Sequence, residues 1–145
     1  MSILALDPGL TTGWAYHYDS GHFESGQTDF LETCTLVANL AATNHNLVIV
    51  SESFLITVNT AKNTQAPWSL ELIGVFRYIA QSKLGRELVL QTPANAKKFA
   101  DDERLKRMGF WLPNNRHAND AARHLLLYMA SAKMLTAEQL RGLIT

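Results

Sequence analysis

Residues 3–13, ILALDPGLTTG, set the terms on which the rest of the chain is read. Ile3 to Leu6 is an unbroken apolar run, the signature of a strand buried on both faces. It stops at Asp7, and Pro8-Gly9 then marks a tight turn. A carboxylate is thus placed where a buried strand leaves the core. Gly9 keeps the next residues free of side-chain bulk, so a phosphate or metal could approach the backbone. The competing reading is an Asp that merely opens an Asp-Pro turn.

From there the pattern predicts an antiparallel meander. Trp14–Tyr18 and His22–Thr28 flank the turn cluster Asp19-Ser20-Gly21. A helix is expected over 30–44, with Leu36, Val37, Leu40 and Ala41 on one face. Asn46–Val50 is a second buried strand, running out through Ser51 into Glu52. Residues 53–67 show no clear period, and a connection of that length inside a domain is usually functional. Trp68–Ser82 reads as a helix whose apolar set is wider than one stripe, so it is expected to be either deeply buried or at a subunit interface. Glu87–Gln91 is a third core strand. Thr92-Pro93 opens a short helix, Asp102–Met108 forms another, and Pro113-Asn114-Asn115 offers a cap for a helix over 116–133. Thr136 and Gln139 form a capping box for a last helix.

The chain has 145 residues, zero formal net charge and one cysteine, Cys34. That length suits a single domain, expected here over residues 1–145. With one cysteine no internal disulfide is possible, which fits a reducing cytoplasm. No apolar run approaches the roughly 20 residues of a membrane span, and the N-terminus does not read as a secretory signal. Charge is distributed unevenly. Residues 1–60 hold no Lys or Arg and six acids, whereas all thirteen basic residues lie between Lys62 and Arg141. An acidic pocket beside a basic surface suits metal-dependent work on a polyanion.

Three carboxylates end well-defined elements. Asp7 closes the first strand and Glu52 the second, and the crevice beyond parallel strand ends is where α/β proteins place ligands. Asp120 lies in His117-Ala-Asn-Asp-Ala-Ala-Arg-His124, where His117, Asp120 and His124 fall at i, i+3 and i+7 on one helix face. His124 sits a turn beyond the others and is read as solvated. Oxygen-rich sites with one imidazole suit Mg²⁺ or Mn²⁺.

Taken together, Asp-Pro-Gly-x-x-x-Gly after an initial strand, a Glu closing a later strand and a C-terminal His-x-x-Asp resemble the RuvC-type Holliday junction resolvases of the RNase H-like superfamily. The resemblance spans roughly residues 1–130. It implies an α/β RNase H-like fold, a five-stranded mixed sheet with its first three strands antiparallel, flanked by helices. It implies that Asp7, Glu52, His117 and Asp120 are catalytic, holding two Mg²⁺ ions for which Mn²⁺ substitutes. Such ions, about 3.5–4 Å apart, hydrolyse a phosphodiester. It implies branched DNA as partner, contacted through Phe54, Lys62, Lys97, Lys98, Lys106, Arg107 and Arg116. Phe54 falls one position early relative to the family's aromatic. A homodimer through the 68–82 helix is expected, since a symmetric junction offers two equivalent strands. The Asp7-Pro-Gly9-Leu-Thr11 loop also matches actin-like and sugar-kinase-like phosphate loops. A junction binder without catalysis, or a nuclease acting on flaps, forks or structured RNA, are further alternatives.

Overall fold

The computed structural model describes residues 1–55, 57 and 66–144. In chain order these form β1 (Ile3–Asp7), β2 (Thr12–His17), β3 (Phe23–Thr28), α1 (Phe30–Thr43), β4 (Val48–Glu52), α2 (Ala66–Leu84), β5 (Val89–Gln91), α3 (Pro93–Phe99), α4 (Asp102–Met108), α5 (Arg116–Ser131) and α6 (Ala137–Ile144). The strands make one five-stranded sheet in the order β3-β2-β1-β4-β5. β1, β2 and β3 are antiparallel neighbours, while β1–β4 and β4–β5 run parallel. The mixed sheet with its opening meander is the architecture expected from the sequence.

Strand parity carries the site. Ile3 and Ala5 pack with Val48 and Val50 against Ala121, Ala122 and Leu125 of α5. Leu4, Leu6 and Ile49 point the other way, onto Val37 and Ala41 of α1 and Leu72 and Phe76 of α2. Side chains alternate along a strand, so Asp7 and Glu52 continue the rows that face α5. The β1–β4 register, Ala5 with Val50 and Leu6 with Ser51, brings the two carboxyl ends level.

The capping chemistry explains most helix boundaries. Thr92 accepts from the Asn95 N–H and Pro93 stands in the first turn of α3. Asp101 caps α4, which ends on Gly109 at φ 80°. Thr136 and Gln139 form the reciprocal capping box ahead of α6. The start of α5 differs from expectation. Asn115 stands at its cap position, but its side chain makes no cap bond and turns to the Pro113 carbonyl. Gln27 of β3 supplies the acceptor for the His117 N–H instead, at 3.0 Å.

The broad apolar set of α2 is buried together in one cluster, and two further large side chains outside that set are exposed. Leu72, Ile73, Phe76, Ile79 and Ala80 are buried, while Leu70 and Tyr78 are exposed on the far side, Tyr78 at 72%. Gly74 lies between them with open space where a Cβ would stand.

Candidate metal and nucleic-acid site

The four residues singled out in the sequence converge beyond the carboxyl ends of β1 and β4. His117 Nδ1 stands 3.0 Å from Asp7 Oδ2. Ligand atoms of Asp7, His117 and Asp120 all lie within 4.8 Å of one another. Glu52 lies at the same cleft, close enough to Asp7 to raise its proton affinity. Asp7, Glu52 and His117 line a cleft of about 390 Å³, whose walls include Phe54, Ser69 and Pro93. The Ser69 hydroxyl donates to the Pro8 carbonyl at 2.8 Å, tying α2 to the turn after Asp7.

Close approach of α5 depends on Gly13. It lies opposite Asp7 on β2, and a Cβ added there would stand 1.8 Å from the His117 carbonyl oxygen. The backbone of α5 therefore rests on a strand position that has no room for a side chain. The conformation of Gly13 is ordinary; bare space is what the position needs.

The electrostatics are those of crowded, partly buried carboxylates. Burial, then the hydrogen bond and charge of Glu52, then Asp120, push Asp7 up to about 10, against a weaker pull from Arg116. Burial alone would also raise Glu52. The neighbouring His124, Asp7 and His117 override it and hold Glu52 below the ordinary range. His117 is pushed down by burial and by Arg116, although Asp120 and Glu52 oppose the shift. A neutral imidazole and clustered carboxyl oxygens are the donor set of a hard divalent cation. The group fits such an ion chemically.

The reading of His124 as solvated is corrected. It is 1% exposed, with Nδ1 2.9 Å from Gln91 Oε1 and Nε2 3.7 Å from Glu52 Oε2. Seven residues beyond His117 on α5 is two helical turns, and the ring there faces the ends of β4 and β5. Arg123 was also unmarked in the sequence. It is buried and reaches Asp120 and Asp102. Gly13, Gln27 and Gln91 complete the set that sequence reasoning missed. Only Gly13 carried a visible signal, as the last residue of the Asp-Pro-Gly-x-x-x-Gly motif.

The expected nucleic-acid residues divide. Lys97 and Lys98 are exposed on α3, whose first turn borders the cleft. Arg116 opens α5 close enough to act on Asp7. Lys106 lies 3.7 Å from Glu103 and over the Trp111 ring. Arg107 donates to the Gly142 carbonyl and so braces α6. Phe54 is half-buried, packing on the α1–α2 core while also lining the cleft. Lys62 lies outside the described residues.

Fold and site geometry together define an α/β protein of RNase H-like architecture. Among solved structures, the chain resembles Thermus thermophilus RuvC in complex with a Holliday junction substrate, with TM-score 0.66 and 15% identity, covering 92% of this chain and 97% of that one. It resembles a second Thermus thermophilus RuvC structure with TM-score 0.65 and 17% identity, covering 92% and 98%. No family model matches the chain, and no curated protein sequence matches it. At these identities the likeness establishes the RuvC fold along nearly the whole chain.

Proposed function

We propose that the protein is a divalent-metal-dependent endonuclease that resolves Holliday junctions or other branched DNA in recombination and repair. The observation that carries this reading is the convergence of Asp7, His117 and Asp120 at one cation-sized cluster beside Glu52, in a chain with the fold of a junction resolvase. Two ions are expected, and Asp7, on the central strand, would help to hold both. Glu52 would hold one, and Asp120 with His117 the other. Mg²⁺ is the expected ion and Mn²⁺ its substitute. Bound there, a pair of ions would activate water and neutralise charge on the phosphoryl and leaving oxygens.

The chain's own residues supply position and exclusion. Asp7, whose proton is held by burial and by Glu52, would have to release it to serve as a cation ligand. Neutral His117 offers a ring nitrogen without first losing a proton. Phe54 and the start of α3 wall the cleft beside the carboxylates, and Lys97, Lys98 and Arg116 face solvent where a phosphate backbone would run. The exposed Leu70, Gly74 and Tyr78 stripe of α2 supports a two-fold homodimer, which would present two such sites to a symmetric junction. The expected setting is the cytoplasm of a bacterial or phage-infected cell.

The test is a panel of labelled four-way junction, flap, fork, linear duplex and structured RNA substrates with Mg²⁺ or Mn²⁺. Symmetric paired nicks in the four-way junction support the reading. Cleavage confined to flaps, forks or RNA would reassign the substrate. No cleavage of any of them by protein that binds Mn²⁺ would overturn the nuclease.

A further inference from the structure

Asp120 stands at the edge of the cluster on a helix face, where nothing in its own backbone fixes its carboxylate. One residue does. Arg123, one turn later on α5, places Nε 3.2 Å from Asp120 Oδ1. Its other nitrogens are committed elsewhere: Nη1 donates to the Ala100 carbonyl at 2.7 Å and Nη2 to Asp102 Oδ1 at 2.5 Å. The Arg123 side chain is only 7% exposed, whereas Asp102 is 56% exposed.

A surface ion pair between residues three apart on a helix contributes little. This one differs in kind. A guanidinium is a planar, rigid fork, and here all three nitrogens are used, on a carboxylate of α5, on the carbonyl that ends α3 and on the first turn of α4. The fork can satisfy the α3–α4 corner only in one orientation, and that orientation leaves Nε aimed at Asp120. Oδ1 is thereby occupied, and Oδ2 has no hydrogen-bond partner among the described residues.

We propose that Arg123 is a positioning residue that clamps Asp120, presenting one carboxylate oxygen to the divalent cation and tying that ligand to the α3–α4 corner. The inference rests on the reading of Asp120 as a cation ligand. It also connects the site to the proposed DNA surface, because α3, which carries Lys97 and Lys98, ends at the carbonyl that Arg123 holds. An outer partner of this type tunes metal affinity by restricting its ligand, and losing one costs about 10–100-fold in affinity or activity.

The experiment is Mn²⁺ binding to the whole, DNA-free chain by calorimetry, with melting temperature recorded on the same samples. Arg123→Met should weaken Mn²⁺ binding by about 10–100-fold. Because removing a buried cation leaves Asp102 and Asp120 uncompensated, this variant could also unfold. Asp102→Asn avoids that hazard: it touches no cluster residue, sits on the surface and loosens only the far anchor of the fork. It should keep a near-native melting temperature and lose affinity by about threefold to tenfold, the lower part of the outer-partner range. Arg123→Lys, which keeps charge without the fork, should fall between wild type and Arg123→Met. Folded Asp102→Asn and Arg123→Lys proteins that bind Mn²⁺ like the wild type would overturn the clamp and leave Arg123 as a brace for α3 and α4. A wild-type chain that binds no Mn²⁺ would overturn the cation site itself and the clamp with it, whereas loss of cleavage with intact Mn²⁺ binding counts only against the nuclease.

Discussion

The ring of His124 lies between two side-chain oxygens from adjacent parallel strands: Glu52 Oε2, 3.7 Å from Nε2, and Gln91 Oε1, 2.9 Å from Nδ1. Glu52 and Gln91 are register partners across β4 and β5, so the imidazole holds the two strand ends to α5 and sets the direction of the Glu52 carboxylate. A histidine outside the cluster should therefore matter for cleavage. His124→Ala leaves a buried gap and an uncompensated carboxylate, and should cost about 1–3 kcal/mol of stability with at least a tenfold fall in kcat. Single-turnover cleavage alongside a urea melt checks both. Wild-type values for each would return His124 to the indifferent role that its spacing suggested.

Gly13 gives the sharpest steric expectation. Gly13→Ala sets a methyl 1.8 Å from the His117 carbonyl oxygen, backbone against backbone, where no side chain can swing aside. The first turn of α5 must lift, carrying His117 and Asp120 away from Asp7. The variant should lose Mn²⁺ binding by more than tenfold even where circular dichroism shows the sheet and helices retained. Unchanged Mn²⁺ affinity would show that α5 accommodates the methyl without moving its ligands.

The contrast between these two residues marks how far the sequence could be read. Apolar runs ending in Asp7 and Glu52 and the i, i+3 pair His117 and Asp120 are local signals, and they brought out both the fold and the four clustered side chains. His124 was misplaced because helical spacing says which face a residue shares but not how far the sheet extends beneath that face. β5 ends at Gln91, under the second turn after His117, and that is a tertiary fact. The Gln27 cap of α5 is of the same kind, reaching across 90 residues. Asn115 satisfies every local rule for capping and is bypassed. The broad apolar set of α2 was legible as wider than one stripe, and the structure buries it in the core it shares with α1; the exposed Leu70 and Tyr78 lie outside that set.

Protonation of Asp7 predicts how the metal-free protein answers pH. Its folded value, about 10, lies above the ordinary 3.8, so between those limits the folded chain holds a proton that the unfolded chain releases. The contribution is fully present below about pH 4 and is lost as pH rises through 10. The melting temperature without metal should accordingly fall with rising alkalinity, and Mn²⁺ binding should release a proton and strengthen with pH. Glu52, held low, acts oppositely and matters only in acid. Asp7→Asn should flatten the alkaline decline, raise the metal-free melting temperature at pH 8 and abolish cleavage. An alkaline decline that persists in Asp7→Asn would assign it to another group.

The exposed stripe on α2 is testable by charge. Tyr78, 72% exposed, stands one helical turn from Gly74, where a second helix could approach without meeting a side chain. If this face joins two copies, Tyr78→Glu should shift a sedimentation profile from dimer to monomer while leaving the melting temperature of the monomer unchanged. Junction cleavage should then produce unpaired nicks. A wild-type chain that sediments as a monomer at micromolar concentration would remove the interface.

Branch recognition turns on which residue after Glu52 enters the DNA. Phe54, expected as a DNA contact, has the surroundings of a wall: it packs on the α1–α2 cluster and also lines the cleft. Leu55, at the same cleft, is 70% exposed. A base at a branch point has lost a stacking neighbour, and an apolar side chain that covers it recovers part of the ~1–3 kcal/mol that a stacked base is worth on an aromatic. Leu55→Ala should therefore keep the melting temperature and lower the ratio of branched to linear cleavage by about three- to tenfold, a fraction of that stacking energy. Phe54→Ala should do both kinds of damage, losing stability but less than the about 3–5 kcal/mol of a fully buried phenylalanine, and blunting the ratio as the wall recedes. If Leu55→Ala leaves the ratio untouched while Phe54→Ala lowers it at constant stability, the aromatic itself is the wedge and the exposed leucine is a bystander.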